Sequence, residues 1–176
     1  MKKTIIYWEI GGVLFIFLVG ALLHFLFEWS GESRFVGAFA SVNESVWEHF
    51  KQGFWPLIIF SVIEYRFIGK TVNNFILAKA CAAYLIPVIT GLVFYGYTFI
   101  IGEEILIVDI MIFLVAIIVG QFASYRILNL PKQLKYSRVI PLFCIIILGT
   151  VLILTTFIPP HLPIFLDNNT ATYGLP

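Results

Sequence analysis

A chain of 176 residues that is 60% apolar and only 12% charged cannot cover itself as a soluble domain does, since such domains are about half apolar and about a quarter charged. Its formal net charge of +1, with no basic stripe, argues against a nucleic-acid partner. The expected surrounding is the lipid bilayer, and the length suits one helical domain over residues 1–176.

The first apolar run, 5–28, follows Met1-Lys2-Lys3 and is too long for a signal-peptide core, although Ala38-Phe39-Ala40 imitates a cleavage site. It reads as an uncleaved first span. Ser41 and Glu44 then stand three apart in a capping-box pattern, which predicts a short outer interfacial helix over 42–53, lying at the outer interface or leading straight into the second span. Along it Val42, Val46, Phe50 and Phe54 recur every four residues, and Glu44, Glu48 and His49 form the polar face. Further spans are expected at 54–69, 75–101, 106–127 and 139–158, each of roughly bilayer-crossing length. The fold class is therefore all-α: an integral membrane bundle of about five transmembrane helices plus the outer helix. The tail, 159–176, is stiffened by Pro159, Pro160 and Pro163. It also needs cover for Ile164, Phe165 and Leu166, so it is expected to fold back over the bundle mouth.

Basic residues divide unequally between the two ends. Lys2, Lys3, Arg66, Lys70, Lys79, Arg126, Lys132, Lys135 and Arg138 fall on one side, and only Arg34 and Lys51 on the other. The positive-inside rule places the N-terminus in the cytoplasm and, with five spans, the tail outside. Cys81 and Cys144 sit in apolar runs as buried thiols, with no disulfide expected.

Two polar layers are expected within this frame. Near the inner side lie Glu9, Glu64, Lys79, Gln121 and Arg126, where an unpaired charge is costly, so Glu9 or Glu64 should bridge Lys79 or Arg126. The outer layer gathers all three histidines with the acids. His24 lies about 12 Å outward of the middle of its span at 1.5 Å per residue, Asp109 lies at similar depth, and His161 and Asp167 follow the last span. Such an inventory suits a divalent metal such as zinc, which takes three His or carboxylate ligands and keeps a position for water. His24, His49 and His161 are the expected ligands and Glu48 the general base. Glu28, Glu44, Asp109 and Asp167 are the supporting or alternative ligands.

The string VNESVWEH at Val42–His49, preceded by HFLFEWSGES at His24–Ser33 and followed by PPHLP at Pro159–Pro163, resembles a family of small bacterial multi-spanning membrane proteins of unknown function. The resemblance covers the whole chain and implies a bacterial plasma membrane as the setting; it brings no substrate or cofactor. Three functions compete: metal-assisted hydrolysis or transfer on a lipid or peptide group, a non-catalytic subunit or binding protein with a membrane-protein partner or a second copy, and a small transporter joining the two layers. The absence of an internal repeat disfavours the last.

Overall fold

The computed structural model describes residues 2–175. Its long helices are α1 (Lys2–Trp29), α3 (Val46–Glu64), α4 (Phe75–Ile101), α5 (Leu106–Leu128) and α6 (Val139–Phe157), with a single short turn of helix, α2 (Arg34–Gly37), after the first. The fold is all-α, as the apolar runs require. Four of them, α1, α4, α5 and α6, are long and apolar enough to cross a membrane, and they expose large apolar side chains such as Leu14, Leu18, Phe99, Leu106, Val139 and Phe143. In water such a surface would be a liability; in lipid it is the natural covering.

Helix α3 is different because its polar residues are hidden by protein. It buries Glu48, Lys51, Gln52, Ser61 and Glu64 among the other helices. Neighbouring pairs fix its direction. Along α1, Gly20 faces Gln52, Gly12 faces Phe60 and Trp8 stacks on Phe67, so α1 and α3 run antiparallel. Gly91 against Phe50, Ile86 against Gly53 and Lys79 against Glu64 make α3 and α4 antiparallel too. Helix α5 reverses α4, with Gly120 on Ile86 and Asp109 on Tyr97, and α6 places Thr156 beside Lys51 and Gly149 beside Phe54. The five long helices thus alternate in direction, and α1 begins at the end of the bundle opposite the tail.

The outer helix expected over 42–53 leads straight into the second span. Residues 46–64 form one helix, continued by a π-helical turn at Tyr65–Gly69, so the loop helix and the second span are a single element. The start shifts by four residues. Ser45, not Ser41, is the N-cap, accepting from the Glu48 amide at 3.3 Å, while Asn43 Oδ1 takes the Ser45 amide at 2.9 Å. Ser45 and Glu48 repeat the spacing of Ser41 and Glu44, and Ser41 is used elsewhere, donating to the Glu48 carbonyl.

Pro56 lies inside α3 and, lacking an N–H, leaves the Gln52 carbonyl without its helical donor. Helix α1 presses onto that carbonyl. A Cβ on Gly20 would sit 2.6 Å from Gln52 O, so only glycine permits this approach. The α1 residues Ile5, Glu9, Gly12, Ile16, Gly20 and Phe27 form the buried stripe at helical spacing. They meet a core centred on Leu57, Ala82, Ile86, Ala116, Ile117 and Leu152.

The tail packs on the end of α3. A 3-10 turn at Pro163–Phe165 leads into a small hairpin, β1 (Leu166–Asp167) with β2 (Thr172–Tyr173). Phe165 is buried, its ring 4.7 Å from that of Trp47. Asn43 Nδ2 donates to Gly174 O at 2.8 Å, and Gly174, at φ +69, lies so close to Pro159 and the Thr156 carbonyl that a side chain would not fit.

Candidate metal centre

At the tail end of the bundle, His24 of α1, His49 of α3 and Glu44 of the intervening loop converge, with one ligand atom from each lying within 4.8 Å of the others. Glu44 Oε1 is 3.6 Å from His24 Nε2 and Oε2 is 3.4 Å from His49 Nε2. The two imidazoles are 5.3 Å apart, centroid to centroid. All three side chains are partly open to the surface, with 26%, 32% and 47% exposure for His24, His49 and Glu44.

Each ligand atom is aimed by a second contact. His49 Nδ1 lies 2.8 Å from the Ser45 carbonyl, and a carbonyl only accepts, so Nδ1 carries the hydrogen and neutral His49 offers its Nε2 lone pair toward Glu44. His24 Nδ1 is 3.1 Å from the Gln52 amide. The same Gln52 nitrogen lies 3.0 Å from Ser41 Oγ; for His24 Nε2 to bind a metal, the amide turns so that its oxygen accepts from His24 Nδ1–H and from the Ser41 hydroxyl, which then leaves the Glu48 carbonyl. The Glu44 backbone is positioned by Asp167, whose Oδ2 accepts from the Glu44 amide at 3.4 Å while Oδ1 accepts from Asn169 N at 2.8 Å. Without a cation, a His49 that donates from both nitrogens is an imidazolium paired with Glu44. The Glu44 carboxyl is held below the usual carboxylate range, chiefly by its hydrogen bond with His49 and against the burial that pushes it up.

The residues expected at this layer are only partly gathered. His161 is exposed and stacks edge-on against Tyr173, 4.7 Å away, outside the cluster, whose third member is Glu44. Glu48 is not free to act as a base. Its oxygens are occupied by the Val42 amide at 3.1 Å, Thr156 Oγ1 at 3.0 Å and Lys51 Nζ at 2.5 Å, and it is 2% exposed. Lys51 in turn reaches the Gly37 carbonyl at 2.7 Å and Thr156 Oγ1 at 2.9 Å. This buried pair ties the loop, α3 and α6 together beneath the cluster. Glu28 is exposed one turn beyond His24, and Asp109 accepts from Tyr97 Oη at 2.6 Å, closing the α4–α5 loop. Gln52, Lys51 and Thr156 were not singled out from sequence; the i, i+3 spacing of Glu48 and Lys51 was the one signal that could have paired them.

At the opposite end the second polar layer is assembled around Lys79. Its Nζ lies 2.9 Å from Glu9 Oε1 and 2.7 Å from Glu64 Oε2, and Gln121 Nε2 donates to the Glu9 carbonyl at 3.4 Å. Arg126 does not join them. It is exposed, its guanidinium over the Phe122 ring, because five residues carry it round α5 from Gln121 to the other face, whereas Ser124, three residues on, stays with the cluster.

These features define a small helical bundle, apolar enough to lie in a membrane, with a histidine–carboxylate cluster at one end and a buried charge cluster at the other. The chain belongs to DUF6512, a family of unknown function whose model matches residues 1–175. No curated protein and no solved structure matches it.

Proposed function

We propose that the protein is a multi-pass protein of the bacterial plasma membrane that binds one divalent metal ion, zinc for preference, through His24, Glu44 and His49 at its outer boundary. The carrying observation is the donor set itself. Two imidazoles and one carboxylate, from three separate elements, are the ligand combination of hydrolytic zinc centres that keep a further position for water. A metal held there supplies a water of lowered pKa and a Lewis acid. The chain's own residues hold the ligands in place: Ser45 fixes the His49 tautomer, Gln52 orients His24, and Asp167 anchors Glu44. Hydrolysis or transfer on a lipid or peptide group at the outer leaflet is the chemistry this exposed position favours. The unequal division of Lys and Arg supports the orientation with the N-terminus in the cytoplasm and the cluster outside.

Metal analysis of protein purified without chelator tests the reading. One zinc per chain is expected, falling to background in His24→Ala and His49→Ala and unchanged in His161→Ala. Background zinc in the wild-type protein that added zinc does not restore would leave the cluster as a His–Glu latch between loop and bundle, and the protein as a non-catalytic subunit.

A further inference from the structure

The cluster at the other end of the bundle has a charge imbalance. Glu9, Glu64 and Lys79 are 4%, 0% and 1% exposed, giving two carboxylates and one ammonium buried among α1, α3, α4 and α5. Lys79 Nζ donates to Glu9 Oε1 and to Ser124 Oγ at 3.0 Å, and it forms an ion pair with Glu64 Oε2. The contact with Glu64 is an ion pair lying off the line of a hydrogen bond, since both Glu64 oxygens lack a hydrogen-bond donor. The Ser124 hydroxyl lies 2.8 Å from Glu9 Oε1. Glu9 Oε2 and Gln121 Oε1 are likewise buried with no partner. Every unsatisfied atom here is an acceptor, so the site lacks a donor and carries one negative charge too many.

Among the described residues no neighbouring group supplies the missing charge, and Lys2 and Lys3 at the start of α1 are exposed. Arg66, Lys70 and Arg126 are exposed, as are Lys132, Lys135 and Arg138 in the loop before α6. Tyr65, the first residue of the π-helical turn, is also exposed, and α5 contributes only the neutral Gln121 and Ser124 to the cluster. A lone excess charge buried in a membrane protein is relieved by binding a proton more readily than it is borne.

We propose that Glu9, Glu64 and Lys79 form a proton-binding site in which the two carboxylates share a single exchangeable proton. A carboxylate oxygen takes H+ from water at the inner end, forming one O–H bond and bringing the cluster from one net negative charge to neutrality. The new O–H donates to one of the orphan oxygens, with Gln121 Oε1 the neutral acceptor. Release reverses the step. The position suits exchange: Lys79 lies four residues, about 6 Å, from the start of α4. Glu64 is the last α-helical residue before the π-helical turn Tyr65–Gly69, a break that recurs at functional positions in helices. Gly12 keeps the acceptor in place, since a Cβ there would fall 2.0 Å from Gln121 Nε2. The site joins four helices, so the pH of the inner side acts directly on their packing.

Infrared difference spectra of the full-length protein in nanodiscs, recorded across pH in sodium and in choline buffers, test this. A carboxylic-acid carbonyl band is expected at neutral pH, amounting to one proton per chain, absent from both Glu9→Gln and Glu64→Gln and retained in Glu103→Gln, whose carboxyl is on an exposed loop. The glutamines imitate the protonated acid, so both variants should fold; if either does not, the wild-type band and its titration read the same quantity. No acid band at any pH at which the protein is folded would overturn the proposal. So would a band that sodium abolishes and choline does not, because the site would then hold a metal cation in the proton's place.

Discussion

Glu48 can be told apart as a base or a lock by what its removal costs. The Lys51 ammonium is completely buried, 2.5 Å from Glu48, and both are bound to Thr156. Lys51→Met leaves a buried carboxylate with its cation gone, and Glu48→Gln leaves the ammonium likewise. Removing one partner of a buried pair costs about 3–5 kcal/mol, which at this chain length lowers Tm by roughly 10 °C. The double variant Glu48→Gln/Lys51→Met removes both charges and keeps an acceptor for the Val42 amide, so it should lose less than the two single changes together, the difference being up to about 3 kcal/mol. Thermal unfolding in detergent micelles, followed by tryptophan fluorescence, provides the four values of the cycle. Single variants with unchanged Tm, or strictly additive losses, would refute the lock and return Glu48 to consideration as a free carboxylate.

The remaining predictions concern packing, pH and the tail. Gly20→Ala must push α1 off the Gln52 carbonyl and should destabilise by about 1–3 kcal/mol, whereas Gly96→Ala, with nothing near its Cβ, should be neutral or gain up to about 1 kcal/mol; Tm of the two variants checks this. Because the Glu44 carboxyl is held below its ordinary value of 4.5, its pairing stabilises the metal-free protein above that value and the contribution is lost as pH falls through the lowered one. Glu44→Gln should therefore flatten the acid limb of a Tm–pH curve, and an identical limb in wild type and variant would contradict it. Asp167→Ala frees the Glu44 and Asn169 amides, so hydrogen exchange at 166–173 should accelerate, and zinc affinity should weaken by about tenfold or more, as for other supports of a metal ligand.

How far the sequence led is clearest from particular residues. The apolar runs settled the all-α class because length decides helix over strand in such segments. The start of α3 was ambiguous because Ser41/Glu44 and Ser45/Glu48 offer the same capping pattern in two phases, and the choice rests on distant partners: Asp167 on the Glu44 amide and Thr156 on Glu48. Depth along a helix placed His24 and His49 in one layer, yet depth carries no information on which way a residue faces. His161 and Arg126 share the expected layers but turn outward. Lys51, counted only as a base of the outer side, is fully buried because Glu48 lies three residues before it and Thr156 lies across from both. The tail hairpin had no hydrophobic alternation to announce it, since its two strands are two residues each.

The central claim, a metal held by His24, Glu44 and His49, is tested most directly by X-ray absorption at the zinc edge of the reconstituted protein. Two imidazole nitrogens at about 2.0–2.1 Å, with carboxylate or water oxygens completing a coordination number of about four, are predicted. The His49→Ala spectrum should lose one imidazole, and the His161→Ala spectrum should match wild type. A first shell with sulfur or with oxygen alone, or an imidazole contribution that His161→Ala removes, would contradict the account.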